Sequence, residues 1–128
     1  MTKEFVPYEQ ALALKELGFN ERCWGHYWEN LFYFGTTHSH PSTMPNSPES
    51  CLAPTFSQAF RWFREKHGLD SFVKHLYKST IKVGYYFGID EYKGIEFQMD
   101  LDDYYKTYEE AELECLRKLI EIVKEKNL

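Results

Sequence analysis

No run of eighteen apolar residues occurs anywhere in the 128-residue chain, so no membrane-spanning helix is expected. The opening residues, Met-Thr-Lys-Glu-Phe-Val-Pro, lack the apolar centre of a secretory leader, and none is expected. Cysteine is scarce. Cys23, Cys51 and Cys115 are odd in number and scattered, so a disulfide framework is not expected and a reducing cytosol fits. Positive charge is in deficit: fifteen Lys and Arg face twenty Asp and Glu, for a net charge of −5. That argues against broad contact with nucleic-acid phosphates, though not against a local basic pocket. No glycine-rich phosphate loop, serine nucleophile elbow, paired zinc cysteines or His-Glu-x-x-His occurs. No catalytic residue or cofactor is therefore expected, and no internal repeat is convincing.

What the chain has in excess is aromatic rings: ten Tyr, ten Phe and three Trp, 18% of all residues. Such a composition argues against disorder and leaves rings to spare for a surface. The length suits one domain over residues 1–128, and a chain of this size buries roughly two-thirds of its unfolded surface.

The stretch from Cys51 to Gly68 reads as the central helix. At 100° per residue Trp62, Ala59, Phe63, Phe56 and Phe60 fall within an arc of about 160°, with Ser57, Arg61 and Arg64 opposite. Thr55 and Gln58 have capping-box spacing, Pro54 suits the entry, and Gly68 is the expected stop. Upstream, Tyr8 to Leu17 reads as a short packing helix stopped by Gly18.

Cys23 to Thr36 reads as a β-hairpin turning at Glu29-Asn30. Alternation places Trp24, His26 and Trp28 on one face, joined by Leu31 and Tyr33 of the return strand. Cys23, Gly25, Tyr27, Phe32 and Phe34 take the other, more apolar face, which is the better core face. The first face carries indole, imidazole and phenol groups, flat bodies with polar tips. They read either as core covered by helices or as an aromatic platform for a ligand. Thr37 to Ser50 is a fourteen-residue loop, long for a compact domain. His38 and His40 alternate within it, with Cys51 and His26 as conceivable further ligands. A structural zinc site needs four ligands with a tighter signature, and no metal is expected.

Phe72 to Tyr77 fits a strand or a helix, with a strand preferred. Ile81, Val83, Tyr85, Phe87 and Ile89 alternate as a strand whose other face holds Gly84 and Gly88, suiting close approach or a bulge. Asp90 to Gly94 is a turn, and Ile95 to Leu101 is a half-buried strand. Thr107 and Glu110 form a capping box for a last helix running from Tyr108 to about Lys126. Its apolar positions cover about 200° of arc. Glu112 lies inside that arc, either reaching water or paired. The order α-β-β-α-β-β-β-α predicts an α+β fold, with an antiparallel sheet of about five strands and three helices packed mainly on one face.

Three segments, Phe5–Phe19, Ala53–His67 and Tyr108–Glu121, resemble a widespread family of short proteins from tailed bacteriophages, prophages and viral metagenomes. The resemblance spans nearly the whole chain, while 37–50 and 88–106 look less typical. It implies a phage origin and the host cytoplasm, and it carries no catalytic assignment to transfer. Small accessory phage proteins often act by binding. The leading expectation is a non-catalytic binder that sequesters a nucleotide-like signal of host defence. Trp24, His26, Trp28 and Tyr33 would stack its base, and Arg61 and Arg64 would hold its phosphate. The alternatives are an inhibitor that docks on a host protein through the acidic region from Asp90 to Glu114, and a small hydrolase using His and carboxylates. A homodimer is the default assembly.

Overall fold

The computed structural model describes residues 2–35, 47–91, 96–98 and 103–127. Its Cα packing groups the chain into two compact units, Met1–Ala59 and Phe60–Leu128. The fold is α+β, with α1 (Tyr8–Glu16), α2 (Phe56–His67) and α3 (Tyr108–Lys126) among strands β1 to β6.

The first unit holds α1 and the strands β1 (Gly25–Trp28), β2 (Leu31–Phe34) and β3 (Ser50–Ala53). They form an antiparallel sheet in the order β2-β1-β3. Glu29 and Asn30 have φ of 51° and 71°, the signature of a two-residue type I′ turn, whose twist matches that of the strands it joins. Gly18 at φ 100° ends α1, and the Phe19 N–H closes back on the Leu14 carbonyl, as expected for a left-handed helix stop. α1 packs against β3. Beneath it, the Tyr27 hydroxyl donates to the Val6 carbonyl at 2.8 Å, so a buried phenol keeps its hydrogen bond. Phe5, Val6, Leu14, Phe19, Cys23 and Tyr27 are buried around it.

β3 was not legible. The sequence reading runs loop through Ser50 and opens the central helix stretch at Cys51, whereas Ser50–Ala53 pairs with β1 and the helix begins at Phe56. All four β3 residues are buried, so the strand shows no alternation of polar and apolar positions to read. In place of one sheet of about five, the described residues form two antiparallel sheets of three.

The second unit holds β4 (Leu69–Lys78), β5 (Ile81–Glu91), β6 (Glu96–Gln98) and α3. The sheet order is β4-β5-β6, and β4 is a strand over the ambiguous 72–77 segment. The rest of the expected strand to Leu101 lies outside the described residues. α3 packs on β4 and β5, burying Ala111, Cys115, Leu116, Leu119, Ile120 and Val123. Its start is fixed as expected, since the Thr107 hydroxyl accepts from the Glu110 N–H at 3.1 Å. The same device opens α2, where the Thr55 hydroxyl accepts from the Gln58 N–H at 3.2 Å. On α2, Phe56, Ala59, Trp62 and Phe63 are buried, while Phe60 is only half-buried. Gly88 pairs with Phe72, and a Cβ there would collide with the Phe72 ring.

Candidate functional site

The hairpin face with the polar-tipped rings is open to solvent. Trp24 is 62% exposed, Trp28 38%, Leu31 60% and Tyr33 46%. Register places His26 opposite Tyr33 and Trp28 opposite Leu31, and directly opposed residues of an antiparallel pair share a face. The His26 and Tyr33 rings stack, with centroids 5.3 Å apart and planes 15° from parallel. Trp24 continues the face two residues earlier, and its carbonyl accepts from the Gly35 N–H at 2.8 Å. Single exposed rings are ordinary on a protein surface, but large contiguous apolar patches mark interaction sites.

The opposite face is less closed than its composition predicts. Gly25 and Tyr27 are buried and Phe32 is half-buried, but Phe34 is 57% exposed. Phe5 explains the gradient. Its ring lies 4.9 Å from Phe32 and, edge-on, 6.1 Å from Phe34, so cover runs out along β2.

Charge at the hairpin tip is acidic. The Glu29 N–H donates to the Glu49 carbonyl at 3.2 Å, bringing the two residues side by side. The Glu49 carboxyl is raised above its ordinary range, first by a hydrogen bond with Glu29 and then by that neighbour's charge. Two acidic side chains at one tip favour a neutral or cationic group nearby and oppose a phosphate. This pair escaped the sequence reading because β3 did. Once Trp28 is known to pair with Ser50, the next antiparallel step sets Glu29 against Glu49.

Arg61 and Arg64 belong to the second unit and are exposed on α2. The Arg64 Nε lies 3.9 Å from the Asp70 carboxylate, with the two side chains 54% and 66% exposed. Such an exposed pair contributes little stability. The register of the first unit thus brings together His26 with Tyr33 and Trp28 with Leu31, while Arg61 and Arg64 lie on α2 within the second unit.

Burial pushes the thiols of Cys23, Cys51 and Cys115 up to about 12, which leaves them protonated and poorly nucleophilic. The His67 ring sits 4.9 Å from Trp62 with Nε2 buried and unpartnered, and burial, then Lys126, lowers its pKa. No group of three metal-binding side chains occurs among the described residues. Cys51 pairs with Tyr27 and His26 with Leu52, so Cys51 and His26 take opposite faces of the sheet and do not converge on one ion. His38 and His40 lie outside the described residues. In the acidic region, Asp90, Asp103, Glu109 and Glu110 are exposed and Glu114 pairs with Arg117; Asp100 and Asp102 lie outside the described residues. No described helix is long and apolar enough to cross a membrane.

Compared with family models, curated proteins and solved structures, the chain matches none.

Proposed function

We propose that this protein acts by binding, and that its working surface is the aromatic face of the β1–β2 hairpin. The observation that carries the reading is the exposure of Trp24, Trp28 and Tyr33 on the one face that also stacks His26 on Tyr33. Burying a flat ring against such a surface brings about 1–3 kcal/mol per stacked base. The ligand class is a planar, nucleobase-like ring. The acidic side chains of Glu29 and Glu49, side by side at the tip, favour a neutral or cationic ligand end there. The phage resemblance of the three helical segments gives the reading its setting, a host cell in which such a ring is a signal to be withheld.

The test is recovery. The purified protein is mixed with a panel of nucleobases, nucleosides and nucleotides, separated from free ligand, and the bound fraction is identified by mass spectrometry. Intact recovery of a member of the panel supports sequestration. Recovery of a converted product supports the hydrolase instead, and recovery of nothing leaves docking on a host protein through the acidic surface.

A further inference from the structure

The two edges of the first sheet are treated differently. β3 is buried along its whole length, faces α1, and is prolonged by the pairing of Phe5 with Thr55. β2, the other edge, has Leu31, Tyr33 and Phe34 exposed and Phe32 half-buried. Among the described residues no strand pairs with its outer side. Natural edge strands are usually blunted by charge, proline or a bulge. β4, an edge of the second sheet, carries Asp70, Lys74 and Lys78 and a bulge at Leu76/Tyr77. β2 reads Leu-Phe-Tyr-Phe and has none of these.

The ladder shows which groups of β2 face outward. Bonded and non-bonded pairs alternate along an antiparallel ladder. The Gly35 N–H bonds to the Trp24 carbonyl, so the pairs Tyr33–His26 and Leu31–Trp28 are the bonded ones. A two-residue hairpin closes on the same pair. The N–H and C=O of Phe32 and Phe34 therefore point away from β1.

We propose that β2 is the seam of a two-fold dimer, pairing antiparallel with β2 of a second copy and centred on Tyr33. Three observations select a second copy as the occupant. First, exposure lies on both faces of the outermost strand, Tyr33 and Leu31 on one and Phe34 on the other; an added strand covers both, whereas a ligand on one face covers half. Second, the segment is complementary to itself. A two-fold axis normal to the sheet at Tyr33 sets Phe32 against the second copy's Phe34 and Phe34 against its Phe32. All eight outward groups are then used in four hydrogen bonds, and the two Tyr33 rings meet at the close, non-bonded position. Third, charge fits only this direction. Antiparallel pairing sends the two Glu29 tips to opposite ends, while parallel pairing would set them side by side, which is unfavourable. The dimer joins the two aromatic faces into one continuous surface, and it stands whether or not that surface binds a flat ring.

Sedimentation equilibrium without ligand tests it. The full chain at about 100 μM should sediment at twice its 15.3 kDa mass. Phe34→Pro removes an outward N–H while sparing the ladder to β1, as proline at an edge allows, and should give a monomer. Tyr33→Lys sets two like charges together at the axis and should do the same. NMR-detected amide exchange reads the folded protein itself. On raising the concentration of wild type, exchange at Phe32 and Phe34 should slow at least tenfold, with Leu31 and Tyr33, already bonded to β1, unchanged. A wild-type monomer at 100 μM overturns the proposal and leaves the edge to an extended segment of another protein. A dimer that survives both substitutions, or whose formation leaves Phe32 and Phe34 exchange unaltered, also overturns it.

Discussion

Replacing Glu112 by Gln should make the protein more stable at pH 8 and leave it unchanged at pH 4. Glu112 sits half-buried on α3, a few residues into the helix and between the buried Ala111 and Cys115. Burial, and then the charge of Glu109 on the same helix, pushes its carboxyl up to about 7. In an unfolded chain a glutamate titrates near 4.3, as unperturbed groups do. The folded state therefore binds the proton more tightly, and the stability this gives is fully present below about pH 4.3 and lost as pH rises through 7. Each pKa unit corresponds to about 1.4 kcal/mol, which gives at most about 3–4 kcal/mol for the whole shift. Because the side chain is only half-buried, solvent screening brings this to on the order of 1–2 kcal/mol. Glutamine keeps the shape of the neutral acid and removes the proton linkage. Urea denaturation followed by circular dichroism, run from pH 4 to pH 8 on both proteins, measures the difference directly. A variant no more stable than wild type at pH 8, or a difference that does not change with pH, would refute the reasoning.

Three further outcomes follow from the packing and the caps. Phe63 has no exposed surface, and Phe63→Ala should cost about 3–5 kcal/mol in chemical denaturation; a cost under about 1 kcal/mol would mean the ring is not core. Phe60→Ala should cost clearly less than Phe63→Ala, because Phe60 is half-buried, and equal costs measured side by side would contradict the burial. Thr107→Ala removes the acceptor for the Glu110 N–H and should lower the stability of α3 by about 1 kcal/mol, read as faster exchange of the first-turn amides.

Helices were the most legible elements because their signals are local. Thr55, Thr107, Gly18 and Gly68 mark ends where the chain does turn into or out of a helix, and each does so through its own hydroxyl or its own positive φ. The hairpin was legible for the same reason, since Glu29-Asn30 encodes the turn and alternation encodes the two faces. What the sequence withheld is long-range. Ser50–Ala53 is buried on both sides, and a strand with no wet face carries no period-two pattern. Without β3, the meeting of Glu29 with Glu49 was not readable, and alternation within each strand does not say which strands share a sheet. Phe34 misled because alternation says which way a ring points, whereas its exposure is set by its place on an edge, at the end of Phe5's reach. Glu112 was legible as an anomaly on a helical wheel, but its half-burial depends on the sheet beneath it.

The central claim is that the hairpin's aromatic face binds flat rings, and tryptophan fluorescence tests it most directly. Trp24 is 62% and Trp28 38% exposed, while Trp62 is 4% exposed and serves as a shielded internal reference. Titrating nucleosides into the protein should quench the exposed fraction of the emission and leave the buried fraction in place. Trp24→Ala, at the most exposed of the rings, should weaken binding by about 1–3 kcal/mol, roughly five- to 150-fold, with an unchanged unfolding midpoint in urea. If no flat ring quenches the wild type at millimolar concentration, or if Trp24→Ala together with Tyr33→Ala binds as tightly as wild type, the aromatic face is not the binding surface.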